Sequence, residues 1–144
     1  MISLSFNSLG INFDRNDIEM NKMVVTTLES KFRLYDLRTQ HCTDGFSHLA
    51  ERAHKSTIWL SKHLPQNRDI FVTGGGNGGL NLYKYHHPAK RVGKHKEDGA
   101  PFGILGSVEL LNSRILSTQP IVSFDWSCDR EGLCCMSCLD QTLR

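Results

Sequence analysis

Apolar and polar positions along the chain fall into short strand-like runs. Ile70-Phe71-Val72-Thr73 is β-branched and aromatic, the composition of a strand. Leu80-Asn81-Leu82-Tyr83-Lys84-Tyr85 alternates with period two, which is the strand period. Between them lie Gly74 to Gly79, so residues 70–85 predict a strand, a tight turn and a second strand. The pattern occurs twice more. Met23 to Leu28 is followed by Phe32 to Asp36, and Leu133 to Cys138 by Leu143-Arg144. The first apolar residues after the turns are Phe32, Leu80 and Leu143, spaced by 48 and 63 residues. The same alignment puts Glu29, Asn77 and Asp140 in register within the turns.

Each hairpin also has an apolar run upstream: Ile11 to Phe13, Thr57 to Leu60, and Ile121 to Trp126. Turn formers separate these runs from the hairpins, as in residues 14–17, 65–69 and 127–129. Val108 to Leu111 is a candidate fourth strand. Units of about 40 to 50 residues with four strands each predict an all-β chain, a partial β-propeller of about three blades of four-stranded antiparallel sheets. The longer second interval is assigned to residues 86–106. One run departs from the pattern. Phe46, Leu49, Ala50 and Ala53 have the i, i+3, i+4, i+7 spacing of a helix, and predict a helical turn in a connection.

Gly74, Gly76 and Gly79 also fit G-x-G-x-x-G, the dinucleotide fingerprint. That motif requires a helix after the glycines, whose N-terminus receives the pyrophosphate. Residues 80–85 have the period of a strand instead. An acidic ribose partner about 20 residues on is missing, since that region holds Lys90, Arg91, Lys94 and Lys96. No Lys-Ser or Lys-Thr follows the glycines, so the P-loop pattern fails too. No cofactor is expected.

Composition narrows the class further. A chain of 144 residues that is 39% hydrophobic and 22% charged suits a globular domain. A net charge of +2 gives no whole-protein field for nucleic acid or a membrane surface. There is no apolar run long enough for a membrane helix, and the opening MISLSFNSLG lacks the basic start of a signal peptide. These features point to the cytoplasm. Five cysteines, an odd count, argue against a disulfide framework. Cys135 and Cys138 have C-x-x-C spacing but no second pair, and on a strand they face opposite ways, so cysteines in the core are expected and no metal.

Several residues resemble the WD-repeat family. Tyr35-Asp36 stands where that family has its Trp-Asp pair, and Tyr83-Lys84 holds the same place in the second unit. His54 sits where the family's Gly-His dipeptide sits. Asp140 matches the aspartate of the family's structural hydrogen-bond tetrad, with Glu29 and Asn77 replacing it in the other units. The resemblance implies a set in which the turn residue orients a histidine, which bonds a hydroxyl and the aromatic; no unit keeps all four family residues. The stretches YDLRTQH (35–41), AHKSTIW (53–59), HLPQNR (63–68), STQPIVSFDWS (117–127) and SCLDQTLR (137–144) are more specific. They resemble the C-terminal half of a WD-repeat member concerned with assembling axonemal dynein. The resemblance covers residues 9–144 and leaves 1–8 as a non-matching segment. It implies a cytoplasmic adaptor without enzymatic activity. It further implies association with a co-chaperone complex of prefoldin-like subunits and RuvB-like ATPases, and with the dynein assembly machinery.

About three blades are fewer than close a ring, so two apolar end faces are expected, and with them self-association of the isolated chain. The notion of a truncated product follows from the same count. Trp59 and Trp126 lie on upstream strands; packing between blades is their first reading and a partner interface their second. Lys84, Lys90, Arg91, Lys94 and Lys96 form a basic stretch, first a solvated loop, second a docking site for an acidic partner. His86, His87 and His95 lack carboxylates or thiols at ligand spacing. No Gly-x-Ser-x-Gly or His-Glu-x-x-His occurs, so no catalytic residue is assigned.

Overall fold

A computed structural model describes residues 7–15, 21–41, 45–94 and 99–144. Among them every regular element is a strand: β1 (Ser8–Phe13), β2 (Lys22–Thr27), β3 (Lys31–His41), β4 (Gly45–Arg52), β5 (Ile58–Leu64), β6 (Asn67–Gly75), β7 (Gly79–His86), β8 (Val92–Lys94), β9 (Pro101–Gly103), β10 (Ser107–Ile115), β11 (Ile121–Trp126) and β12 (Cys134–Cys138). The first sheet has the order β1-β2-β3-β4 and the second β5-β6-β7-β10, all antiparallel. In the third, β11 pairs with β12, and an isolated bridge joins Ser137 to Leu143. The inner strands β1, β5 and β11 lie side by side, so the three sheets stand as successive blades of a partial propeller.

The repeat is written in the backbone as well as in the side chains. Non-helical left-handed residues occur at Ser30, Gly78 and Gln141, with φ of 64°, 73° and 65°. Their spacings are again 48 and 63 residues. The amides of Leu28, Gly76 and Leu139, at the same two intervals, donate to the carbonyls of Asn7, Thr57 and Pro120 at 2.9, 2.8 and 3.0 Å. The turns are therefore one turn repeated, each tied to the segment that enters its inner strand. Only at Gly78 is the space closed as well: an added Cβ would lie 2.0 Å from the Ser117 carbonyl oxygen. Gly78→Ala is expected to cost about 1–3 kcal/mol from the left-handed backbone and the backbone collision together. A loss below about 0.5 kcal/mol in urea titration would remove this reading of the turn.

The sheets pack through their apolar faces. Between the first and second blades lie Val24, Phe32 and Leu34, facing Ile58, Phe71, Tyr83 and Tyr85. The rings of Phe32, Phe71 and Tyr83 sit 5.1–5.4 Å apart in edge, tilted and stacked arrangements. Between the second and third lie Val72, Ile121, Phe124, Met136 and Cys138, with Leu60, Leu80 and Leu82 beside them. Burial of both faces explains why Met23-Val24-Val25 in β2 and Ile70-Phe71-Val72 in β6 are apolar without alternation.

A charged cluster joins the first two blades at the end opposite the turns. Lys22 is fully buried, with Nζ 2.7 Å from Asp69 and 3.3 Å from Asp14, and 5.3 Å from the Tyr85 ring centre. Arg68 Nε donates to Asp14 at 3.0 Å, and the Asn21 amide to the same carboxylate at 2.9 Å. Burial pushes the Asp14 carboxyl up, but Arg68, Asn21 and Lys22 outweigh it and hold the pKa below the ordinary value. Asp69 is likewise lowered: burial opposes, and Lys22 and His87 prevail.

Four expectations are corrected. Residues 46–53 form no helical turn; β4 pairs with β3 from Lys31↔Arg52 to Tyr35↔His48, because sheet pairing overrides a helical spacing of only two turns. The turn at 65–69 shrinks to Pro65-Gln66, and Asn67 already belongs to β6. The basic stretch from Lys84 is not a plain solvated loop: Lys84 lies on β7 and Lys94 on β8, and the residues 86–106 that lengthen the second interval hold more than a connection. They contain the β8–β9 hairpin, which lies on β3 and β4 of the first blade, with Ser47 Oγ donating to the Gly103 carbonyl at 2.7 Å. Of the cysteines, Cys138 is in the core, but Cys128 is exposed in the connection between β11 and β12, and Cys135 is exposed on the face of β12 opposite Cys134, Met136 and Cys138; Cys42 lies outside the described residues.

Candidate functional site

Of the residues singled out from the sequence, Glu29, Asn77, Asp140 and His54 lie at the turn end of the blades. Each turn residue reaches back to the segment that enters its inner strand. Asn7 Nδ2 donates to Glu29 Oε1 at 3.3 Å. Ser56 Oγ donates to Asn77 Oδ1 at 3.2 Å and accepts from the Asn77 amide at 3.0 Å. Ser117 Oγ donates to Asp140 Oδ2 at 2.8 Å. Hydrogen bonds from Thr142 and Ser117 lower the Asp140 pKa to about 2. A short polar side chain at this position thus closes each turn by local bonding.

The second blade carries the fullest set. His54 Nε2 is 2.9 Å from Thr73 Oγ1, in a buried pair. His54 and Asn77 converge over Gly75, where an added Cβ would meet His54 Nδ1 and Asn77 Oδ1 at 2.7 Å each. The Gly-rich turn therefore clears room for a histidine and an amide rather than for a phosphate. Asn81 extends the set, with Nδ2 donating to the Ala53 carbonyl at 2.7 Å and to the Tyr83 hydroxyl at 3.1 Å, and Oδ1 accepting from Ser113 at 2.7 Å. Burial lowers the His54 pKa, with a smaller opposing contribution from Thr73, which favours the neutral ring. An open groove of about 810 Å³ passes Arg52, His54, Asn77, Asn81 and Ser113.

Tyr35 is buried in the first blade, stacked on His48 at 5.0 Å, and is not brought to that set. Trp59 is 45% exposed above Gly76, so it does not fill the inter-blade core. Trp126 packs edge-on against Phe124 at 4.9 Å and is half-buried. Lys90, Arg91 and Lys94 are exposed on the hairpin, whereas Lys96 and His95 lie outside the described residues. Sequence reasoning missed Thr73, Asn81, Ser56 and Ser117. Ser117 was recoverable: it precedes Ile121 by four residues, as His54 precedes Ile58. Among the described residues no group of His, Cys, Asp and Glu could hold a metal ion, and no helix is long and apolar enough to cross a membrane.

No family model matches the chain. Curated proteins do. Dynein axonemal assembly factor 10 of Homo sapiens is 56% identical over 134 residues, 93% of this chain and 37% of its own length. The chain is a homologue of this assembly factor. Dynein axonemal assembly factor 10 of Xenopus tropicalis is 55% identical over the same share of each chain, and that of Chlamydomonas reinhardtii is 48% identical over 94% of the chain and 38% of its own length. The chain thus spans well under half the length of the assembly factors it matches. With this relationship the WD-repeat reading of the sequence stands, and the blades described above supply its fold.

Proposed function

We propose that this chain is part of a non-enzymatic WD-repeat scaffold that serves the assembly of axonemal dynein arms in the cytoplasm. The observation that carries the reading is the 56% identity, over 93% of the chain, to a protein named for that role. On this reading residues 9–144 are one propeller portion whose buried polar sets are structural. His54, Thr73, Tyr83 and Asn77 lock the second blade, Asp140 locks the third, and Glu29 and Tyr35 stand at the related places in the first. Protein partners then bind the outer surfaces, with exposed Trp59 as one anchor. The partners are a co-chaperone complex of prefoldin-like subunits and RuvB-like ATPases, together with dynein subunits awaiting assembly; no nucleic acid or membrane is involved.

The test is affinity capture from ciliated cells with the chain in its full-length context, followed by mass spectrometry. RuvB-like ATPases and axonemal dynein heavy chains are expected in the captured set. Their consistent absence, with the bait folded and in excess, would remove the reading.

A further inference from the structure

The β8–β9 hairpin is the element that repeat logic does not call for. It enters between β7 and β10 of the second blade and crosses onto the first, so it acts as a strap. Its roots are fixed: His87 Nε2 is 2.9 Å from Asp69, Leu105 packs against the inter-blade core, and the Gly106 amide donates to Tyr85 Oη at 2.8 Å. Its body is fixed too, since the Ile104 amide donates to the Arg91 carbonyl at 2.8 Å and Ser47 holds Gly103. Gly93 sits opposite Phe102, whose ring occupies the place of a side chain there, with the nearest ring carbon 2.6 Å from an added Cβ. Val92 and Lys94 therefore share the other face, where Val92 is 52% exposed.

Lys94 shares that face with Val92, and Lys90 and Arg91 flank it where the chain enters β8. Lys90, Arg91 and Lys94 are exposed and make no ion pair among the described residues. The acids at the roots are engaged, Asp69 by Lys22 and His87, Glu109 by His86 at 2.6 Å. Over residues 88–103 the sequence carries Lys90, Arg91, Lys94 and Lys96 against Glu97 and Asp98. Fixed backbone lowers the entropic cost of binding, and clustered like charge selects an oppositely charged partner.

We propose that the exposed β8 side of the strap docks an acidic segment of a partner protein, with Lys90, Arg91 and Lys94 pairing its carboxylates and Val92 receiving an apolar side chain. The proposal rests on the scaffold reading for its biological setting only. It is tested with the full 144-residue chain and a fluorescein-labelled EELEELEE peptide, followed by anisotropy at two salt concentrations. Saturable binding that weakens with salt is expected, and the Lys90→Glu, Arg91→Glu, Lys94→Glu variant should weaken it about tenfold or more. Thermal melting of that variant should match the parent, because the three side chains are exposed. No binding, unchanged affinity in the variant, or tighter binding of an oligouridylate than of the peptide would each overturn the proposal. The scaffold reading fails separately: loss of captured dynein and ATPases with peptide binding intact sinks the setting, whereas the reverse pattern sinks the strap.

Discussion

Replacing Lys22 by Met should destabilise the chain by about 3–5 kcal/mol, as removal of one member of a buried charge cluster does. The aliphatic stem is kept, so the loss reports charge rather than volume. Without the ammonium, Asp14 retains Arg68 and Asn21 but remains a carboxylate with no exposed surface, and Asp69 loses its 2.7 Å partner. Urea unfolding at fixed protein concentration measures this. A loss under about 1 kcal/mol would show that the cluster does not hold the two blades together.

The same cluster sets an acid dependence. The lowered pKa values of Asp14 and Asp69 contribute stability that is present above their unfolded values, near 3.8, and is lost as pH falls through the folded ones. In Lys22→Met this contribution shrinks, and the acid limb of the stability curve becomes shallower. His63 acts at higher pH. Burial lowers its pKa from 6.5 to about 4, so the unfolded chain binds more protons between these values. Stability should fall as pH drops through that window, before the carboxylates respond.

Phe71→Ala is expected to cost about 3–5 kcal/mol, the usual range for a buried aromatic truncated to Ala. Phe71 has no exposed surface and touches Phe32, Tyr83 and His63 with ring centres 5.3–5.5 Å away. Phe32 comes from the first blade and the other three from the second, so the truncation opens the seam between them. The double variant with Phe32→Ala should lose less than the sum of the singles, because the two rings share one cavity. Strict additivity, or a single-variant loss near zero, would mean that the seam is not packed as described.

The sequence makes the hairpins and inner strands legible for a plain reason. Strand period, β-branched runs and turn glycines all act over a few residues, and the spacings of 48 and 63 then expose the repeat. β11 is read to the residue, from Ile121 to Trp126. What depends on distant partners is not legible. Residues 46–53 carry a helical spacing, and only β3 lying beside them makes them a strand. Trp59 is apolar and large, yet it lies out on the turn end, where no pattern within its own strand could place it. Of the candidate site, the turn residues and His54 were visible as types at fixed offsets. Thr73 and Asn81 were not, because their roles come from bonds across 19 and 28 residues to His54 and Ala53.

The strap has a mechanical consequence. First and second blades are joined by an aromatic seam, a buried ammonium and a crossing hairpin, whereas second and third share one apolar seam and a few polar contacts such as Gln66 to the carbonyls of Ser127 and Cys128. Under load or on warming, separation therefore begins at the β11–β12 side, and the fastened pair survives as the last cooperative unit.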